Sequence, residues 1–335
     1  MSGSAGPARR LSGPRWMILV ALLAVAGLVA LSLWSATVWR RAPAPGAATV
    51  EVTIPAGASL RQASRSLAEA GLVEDAAAFE AMARLFGAGR PVQPGTYAFA
   101  TGEGWGAILG KMQRGEVLTF RLVIPEGLPA VLVHERLMAA GRLVGEVDVP
   151  AEGSVLPATW DYRPGETRAA VLQRMQDGMA ETLDRLWPMR TGRSAVATRE
   201  EAVILASIVE KETGIPAERR RVAGLYTNRL KAGMKLDADP TVIYPVTRGR
   251  PLGRRIRRSE LAADTGYNTY VRPGLPVGPI TNPGRESIAA VLDPEPHDYL
   301  FMVADGTGGH VFARTYAEHQ ANVARWRAFR TERGI

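Results

Sequence analysis

The longest stretch of the chain without a charged residue lies near its N-terminus. It runs over residues 16–39, and its flanks carry five arginines, Arg9, Arg10, Arg15, Arg40 and Arg41. As an α-helix its 24 residues would span about 36 Å, which exceeds the roughly 30 Å thickness of a bilayer core. We therefore predict a single-pass transmembrane helix over residues 16–39.

The arginines on either side of this run predict its orientation. Three precede it and two follow it, which favours a cytoplasmic N-terminus and makes residues 1–15 a cytoplasmic tail. The rest of the chain then lies outside the cytoplasm, anchored in the inner membrane. The run is longer than the core of a signal peptide, although Ala36 near its end leaves cleavage as an alternative. Residues 40–49, mostly alanine and proline, predict a linker.

Residues 50–145 contain an internal repeat. The motif Ile54-Pro55-Ala56-Gly57 recurs 70 residues later as Ile124-Pro125-Glu126-Gly127, and a leucine and an Ala-Gly pair follow both copies at the same distance. A second echo, at an offset of 63 residues, relates residues 96–112 to residues 159–175. Each copy has the pattern of a strand, a turn and a short helix that ends at glycine. The duplicated αβ unit serves either packing alone or the binding of a glycan, and the sequence leaves both interpretations open.

The residues with the clearest catalytic potential follow residue 195. Thr198 and Glu201 form a capping box, and residues 202–209 are apolar without interruption, which predicts a buried helix. The end of this helix carries two carboxylates, Glu210 and Glu212. A carboxyl group on an apolar helix is paired, exposed or kept protonated by desolvation, and the last state is the one that a general acid requires.

The two carboxylates lie on different faces of the helix, and the residues beneath them differ only slightly. Glu210 lies over the small residues Ala206 and Ser207, which leave room for a ligand, whereas Glu212 lies over larger apolar residues. This difference favours Glu210 as the candidate catalytic acid. In the alternative interpretation both are ordinary surface charges at a helix end.

Candidate substrate contacts come from a second helix and two loops. The helix is predicted over residues 217–231, and a polar turn at residues 236–240 leads into a predicted strand over residues 241–246. A loop of 18 residues with four prolines, 267–284, is longer than structureless connections usually are unless they are functional. We predict substrate contacts from five residues of these segments, Asn228, Asp239, Tyr267, Asn268 and Tyr270.

The remaining C-terminal pattern predicts structure rather than chemistry. Residues 299–304 and 310–313 predict a hairpin around a glycine-rich turn, and a capped helix follows it. His310 and His319 have no nucleophile motif beside them, so we interpret both as structural. Six arginines stand within residues 248–258, and they form either a solvated face or a contact with anionic peptide stems or lipid headgroups.

Composition excludes several classes of site. The 335 residues include no cysteine, and the four histidines lack a metal-binding spacing, so we expect no disulfide, thiolate nucleophile, metal site or cofactor. The net charge of +8 is typical of nucleic-acid-binding proteins, but five of these charges belong to the arginines around the apolar run. We therefore expect no nucleic-acid partner.

Four segments together carry a resemblance to a known family. They are Leu-Ala-Ser-Ile-Val-Glu-Lys-Glu-Thr at residues 205–213, Asp239-Pro240-Thr241-Val242, Tyr267-Asn268-Thr269-Tyr270, and Gly274-Leu275-Pro276 with Gly278-Pro279-Ile280. With these segments the chain resembles the endolytic murein transglycosylase family, also called MltG or YceG-like, from the apolar run to the closing hairpin. Val277, Ala158 and residues 237–238 depart from the family pattern, which affects loop contacts rather than the Glu210 motif.

The resemblance implies a fold and an activity. The fold is α+β, with the transmembrane helix, duplicated LysM-like units that bind glycan over residues 50–145, and a mixed α+β catalytic domain over residues 146–335. The activity is that of a lyase that cuts nascent peptidoglycan between MurNAc and GlcNAc, leaves 1,6-anhydro-MurNAc ends and terminates strand elongation. The catalytic Glu of the family maps onto Glu210, and the implied partners are glycan strands, membrane lipid and peptidoglycan synthases.

A lytic mechanism needs one carboxyl group where hydrolytic glycosidases commonly use two. Protonated Glu210 would donate to the glycosidic oxygen and then accept the proton of the C6 hydroxyl, which attacks C1 and closes the anhydro ring. Two alternatives remain open. One is a membrane-tethered wall-binding scaffold without activity, and the other is a hydrolase that pairs Glu210 with Asp237 or Asp239.

Overall fold

The computed structural model describes residues 13–334, and these form two units, the first ending at Thr119 and the second beginning at Phe120. Arg9 and Arg10 of the predicted cytoplasmic tail lie outside the described residues. The first unit contains four helices and two strands: α1 (Gly13–Arg40), β1 (Thr49–Ile54), α2 (Leu60–Glu69), α3 (Ala76–Phe86), β2 (Gly95–Ala100) and α4 (Trp105–Arg114).

Helix α1 covers the predicted transmembrane run. Within its segment Trp16–Arg40, the most apolar stretch of 18 residues has a mean hydropathy of 2.6, and none of that stretch is buried within the chain. A long apolar helix whose side chains are exposed to the surroundings fits a membrane anchor. Near the C-terminal end of α1, the indole of Trp39 packs onto α4 at Gly106. A Cβ at position 106 would come within 2.5 Å of the ring, so glycine is what leaves room for the indole.

The core of the first unit lies between the β1–β2 pair and helices α2 to α4. The two strands are antiparallel, with Val52 opposite Tyr97. Alternate side chains of β1 are buried, as expected for a strand with one face on a core. The largest fully buried side chains of this core include Phe79, Tyr97 and Phe99.

The second unit is mainly helical. Among its described residues it contains two antiparallel strand pairs, in addition to the pair in the first unit. Its elements are β3 (Phe120–Val123), α5 (Ala130–Ala139), β4 (Thr159–Tyr162), α6 (Arg168–Leu186), α7 (Arg199–Glu212), α8 (Arg219–Lys231), α9 (Asp239–Thr247), α10 (Arg258–Ala262), α11 (Arg285–Leu292), β5 (Phe301–Ala304), β6 (His310–Ala313) and α12 (Tyr316–Arg333). Short 3₁₀ turns stand at Trp187–Met189 and Pro216–Glu218.

The sequence repeat corresponds to a recurring order of elements. Helix α5 begins and ends 70 residues after α2, and α6 begins 63 residues after α4. Strands β3 and β4 pair antiparallel, as β1 and β2 do. The boundary between the two units falls inside residues 50–145, so the first copy of the repeat belongs to the first unit and the second copy to the second.

Helix α7 is the centre of the second unit. Its capping box at Thr198 and Glu201 is present, as predicted. Seven of the eight residues from Ala202 to Val209 are buried. The helix packs against α8 and α11, with Leu205, Ile208 and Val222 in the shared core. The predicted hairpin is also present as the β5–β6 pair, followed by α12 with its cap at Thr315.

The predicted strand at residues 241–246 is wrong, because the segment is helix α9. Its β-branched residues suggested a strand, but Pro240 in the first turn has the backbone angle that starts a helix. The Thr241 hydroxyl donates to the carbonyl of Ala238 at 2.6 Å, and Thr241 and Val242 are buried. Tertiary burial has therefore overridden the local strand preference.

Candidate active site

A polar cleft of about 220 Å³ lies at the C-terminal end of α7. The end of α7, one face of α8, the start of α9 and the β5–β6 hairpin surround it. Its polar lining residues are Glu212, Tyr226, Arg229, Asp237, Asp239, Tyr270 and His310. Ionisable groups gathered in one cleft are typical of catalytic sites.

Glu212 has the environment of a general acid. Its Oε1 is buried and has no hydrogen-bond partner among the described residues. Burial and, secondarily, the nearby charge of Asp239 raise the pKa of Glu212 to about 7, against the opposing effects of a hydrogen bond from Tyr226 and the charge of Arg229. A carboxyl group in this state holds a proton near neutral pH and has an oxygen free to donate it.

Asp239 and Tyr270 lie beside Glu212 in the cleft. The Tyr270 hydroxyl donates to Asp239 Oδ1 at 2.7 Å, and burial together with this bond raises the pKa of Tyr270. The bond fixes the position of the Asp239 carboxyl at the start of α9. Asp237 accepts a hydrogen bond from Arg229 at 3.3 Å, while burial raises the pKa of Asp237.

His310 also lines the cleft, and Glu218 holds it in place. The backbone N–H of His310 donates to Glu218 Oε1 at 2.9 Å, and its ring Nδ1 lies 2.9 Å from Glu218 Oε2. The side chains are 16% and 14% exposed, so the pair is largely enclosed. The structural interpretation of His310 is therefore incomplete, because its imidazole also lines the candidate active site.

Glu210 lies in a different environment from Glu212. Its Oε2 accepts the backbone N–H of Gly284 at 2.9 Å, and its Oε1 is 3.7 Å from the guanidinium of Arg219. Glu126 also contacts Arg219, and burial raises the pKa of Glu126, with the charge of Glu210 adding to the shift. Both oxygens of Glu210 thus face protein partners, the backbone N–H of Gly284 and the guanidinium of Arg219.

The space that favoured Glu210 in the sequence is filled in the structure. The hydroxyl of Ser207 accepts the backbone N–H of Ile280 at 3.0 Å, and Ala206 and Ser207 are fully buried. The loop that contains Ile280 comes from residues far along the chain, so helix periodicity alone does not reveal it. The small residues make room for this loop rather than for a ligand.

The other predicted contacts divide into two groups. Asp239 and Tyr270 line the cleft, whereas Asn228, Tyr267 and Asn268 do not. The Asn228 amide donates to the carbonyls of His297 and Tyr299 at 2.7 and 3.1 Å. The buried Asn268 amide donates to the carbonyls of Leu261 and Ala263. These amides hold loops in place, and substrate contacts from Asn228, Tyr267 and Asn268 stay predictions.

Comparison with known proteins gives the family of the chain. The profile of the YceG-like family matches residues 52–325. The chain belongs to the YceG-like family. The crystal structure of a YceG-like protein from Listeria monocytogenes superimposes with a TM-score of 0.52 at 25% identity, covering 82% of this chain and 99% of that one. The YceG-like fold, a mixture of helices and strands, is therefore confirmed.

Two curated relatives of this YceG-like chain carry the same name. A Bacillus subtilis protein named endolytic murein transglycosylase is 26% identical over 303 residues, which cover 81% of this chain and 83% of the relative. A Streptococcus pneumoniae protein of that name is 32% identical over 179 residues, which cover 52% of this chain and 32% of the relative.

Sequence reasoning missed part of the YceG-like cleft. Tyr226 and His310 were visible in the sequence but stood in segments without a recognisable catalytic motif. The tandem Glu-Lys-Glu at the end of α7 was the signal for the acid, and it marked two residues rather than one. Among residues 13–334, no group of three or more His, Asp or Glu side chains is arranged to hold a metal ion.

Proposed function

We propose that this YceG-like chain is a membrane-anchored endolytic murein transglycosylase, a lyase that cuts peptidoglycan strands between MurNAc and GlcNAc. The observation that carries the proposal is the environment of Glu212, whose buried carboxyl group has a raised pKa and shares a cleft with Asp239 and Tyr270. The relatives named endolytic murein transglycosylase support the substrate class.

In the proposed mechanism Glu212 supplies both proton transfers. It donates its proton to the glycosidic oxygen as the bond to C1 breaks, and it then accepts the proton of the C6 hydroxyl as that oxygen attacks C1. The product carries a 1,6-anhydro ring and no water is consumed. We prefer Glu212 to Glu210, the residue favoured by the helix face and by the resemblance, because Glu210 is engaged by Gly284 and Arg219.

Asp239 has two roles in this mechanism. Its carboxylate beside Glu212 favours the protonated form of Glu212 before the reaction. During the reaction the same negative charge stabilises the positive charge that develops at C1, together with the N-acetyl group of the substrate. Tyr270 keeps Asp239 in place through its 2.7 Å hydrogen bond.

Digestion of purified peptidoglycan tests the proposed activity. Mass analysis of the products should find chains that end in 1,6-anhydro-MurNAc at internal cleavage positions. Reducing ends would instead identify a hydrolase in which Glu212 and an aspartate such as Asp239 activate water. Absence of any cut would identify a wall-binding scaffold, and either result would refute the lyase.

The anchoring and topology of the chain are part of the proposal. We propose that α1 is retained as a single-pass anchor, with residues 1–15 in the cytoplasm and the catalytic unit outside it, and that membrane lipid surrounds the helix. A reporter protein that is active only outside the cytoplasm should give a signal when it is fused after Ile335. Signal from a reporter that works only in the cytoplasm would contradict this orientation.

We also propose that the repeated αβ elements are LysM-like and bind glycan, and that the enzyme acts beside peptidoglycan synthases to end elongation. The recurring strand and helix bounds support the duplication. Pull-down of insoluble peptidoglycan by the Glu212→Gln variant measures binding without cleavage. Binding that is unchanged when the first copy is removed would contradict a glycan-binding role for that copy.

A further inference from the structure

A second concave surface lies beside the catalytic cleft in the second unit. It is a groove of about 420 Å³ bounded by the turn at residues 127–129, helix α5, helix α9 and the loop at residues 249–252. Its lining is mostly aliphatic or proline, and its charged members are Lys211 and Arg250. We call this surface the Lys211 groove.

The Lys211 groove and the cleft share two walls. Lys211 precedes Glu212 at the end of α7, and Pro240 follows Asp239 at the start of α9. Because consecutive Cα atoms are only about 3.8 Å apart, the groove begins within one residue of the proposed acid. A substrate that branches near its scissile bond would therefore enter both surfaces at once.

The lining of the groove does not suit a sugar ring. Sugars need several polar partners or an open aromatic face, but the one aromatic ring of the groove, Tyr244, packs against Tyr267 with ring centres 4.9 Å apart. Aliphatic walls such as Leu128 and Leu132 suit small apolar groups instead. Lys211 and Arg250 suit carboxylates.

We propose that the Lys211 groove binds the peptide branch of the murein strand whose glycosidic bond lies in the cleft, a proposal that rests on the proposed function. The branch leaves muramic acid at C3, two ring carbons from the C1 of the scissile bond. It consists of alanines and residues with free carboxylates, so its methyl groups match the aliphatic walls and its charges match Lys211 and Arg250.

The two cations are available to a carboxylate ligand. The aliphatic part of Lys211 lies over Gly127, where a Cβ would stand 3.7 Å from Lys211 Cδ, and the residue is exposed. Arg250 pairs with Glu135, but the two side chains are 44% and 50% exposed. Such a surface pair contributes little to stability, so a ligand carboxylate can replace Glu135.

Kinetics on two forms of one substrate test this proposal with the full chain. The substrates are glycan strands that carry peptide branches and the same strands after an amidase has removed the branches. The wild type should have a lower KM for the branched strands. Lys211→Ala should raise the KM for branched strands about 5- to 20-fold, with less than about 2-fold change for stripped strands and in kcat, because the lost contact is the same in ground and transition states.

Two further variants make the result specific to the groove. Lys211→Arg keeps the charge and should restore most of the affinity for branched strands. Arg255→Ala removes an exposed arginine that belongs to the same basic run but not to the groove lining, and it should behave as the wild type. Equal KM values of the wild type for both substrates, or an equal effect of Lys211→Ala on both, would overturn the peptide site while leaving the lyase intact. Failure of the wild type to cut either substrate would overturn the proposed function as well.

Discussion

The two copies of the Ile-Pro-x-Gly turn have the same backbone and different surroundings. Gly57 and Gly127 both have positive φ angles, 76° and 71°. A Cβ on Gly57 would meet nothing within 4 Å, whereas a Cβ on Gly127 would lie 3.4 Å from Glu210 Cγ. In the second copy the Gly127 N–H also donates to the carbonyl of Asn282 at 3.0 Å. The first turn is thus a free surface feature, and the second is part of the catalytic unit.

The helices that follow the two turns are also stabilised differently. Ser59 and Gln62 form a local capping box at the start of α2. The start of α5 has no such cap, and its Ala130 N–H donates instead to Glu152 at 2.8 Å. One local sequence pattern therefore supports a self-contained element in the first unit and a long-range junction in the second. Sequence similarity between repeats does not establish equal roles.

We expect the largest difference between the two copies when each is deleted from the chain. Removing residues 50–118 should leave a folded second unit that cleaves soluble glycan at high enzyme concentration. Removing residues 50–145 also takes β3 and α5, which uncovers the fully buried Val171 and Met175. Each large side chain that loses its burial costs about 1.5–3 kcal/mol, so the loss of several is comparable to the whole stability of about 5–15 kcal/mol that is typical of a domain.

Thermal unfolding and cleavage assays of the two deletions compare them directly. The longer deletion should show no cooperative transition and no activity. Equal activity of both deletions would mean that the second copy is as separable as the first, and it would contradict the assignment of residues 120–145 to the catalytic unit.

A smaller difference is expected from valine at the two glycines. Gly57→Val and Gly127→Val both force a β-branched residue into a left-handed conformation, which costs about 1–2 kcal/mol. Only Gly127→Val also pushes methyl groups toward Glu210 and Lys211. Because the backbone strain is the same, we expect both variants to lose a similar amount in Tm. Only Gly127→Val should also lower kcat/KM, by about 10-fold. Equal activities of the two variants would remove the functional difference between the turns.

The smallest effect concerns the pH dependence of stability. Burial raises the pKa of Glu152 to about 7, above its unfolded value. The folded state therefore binds this proton more tightly, and its stabilising effect is complete at low pH and lost as the pH rises from about 4.5 to about 7. Glu152→Gln should reduce the decline in stability over this range by on the order of 2 kcal/mol, with Glu212 responsible for part of the remaining decline.

Urea unfolding at pH 5 and pH 8 measures this effect, with the first copy as control. Ser59→Ala removes the local cap of α2 and should cost about 1 kcal/mol at both pH values. A decline in stability with pH that is the same in Glu152→Gln and in the wild type would show that Glu152 does not titrate in this range.

Local signals predicted much of the fold. Capping boxes at Thr198 and Thr315 placed the starts of α7 and α12, and the uncharged run placed α1. Helix α9 was missed because β-branched residues suggest a strand when their burial is unknown. Its helical state depends on contacts of Thr241 with Thr269, 28 residues away, at 2.9 Å.

The candidate site was predictable only in part for the same reason. The Glu-Lys-Glu motif located the end of α7, and two of the predicted substrate contacts, Asp239 and Tyr270, line the cleft. The choice between Glu210 and Glu212 depends on which face the loop at residues 267–284 covers. That loop packs Ile280 onto Ser207 and brings Gly284 to Glu210, and neither contact leaves a trace in the periodicity of α7.

The most direct test of the account compares Glu212→Gln with Glu210→Gln by mass analysis of peptidoglycan digests. Glutamine at position 212 can neither donate nor accept the required protons, so the yield of 1,6-anhydro ends should fall by at least about 10²- to 10⁴-fold with the fold intact. Glutamine at position 210 can still accept the N–H of Gly284, and that variant should retain activity within about 5-fold of the wild type, since a neutral hydrogen bond contributes only about 1 kcal/mol. An inactive Glu210→Gln beside an active Glu212→Gln would contradict the account and return the catalytic role to Glu210.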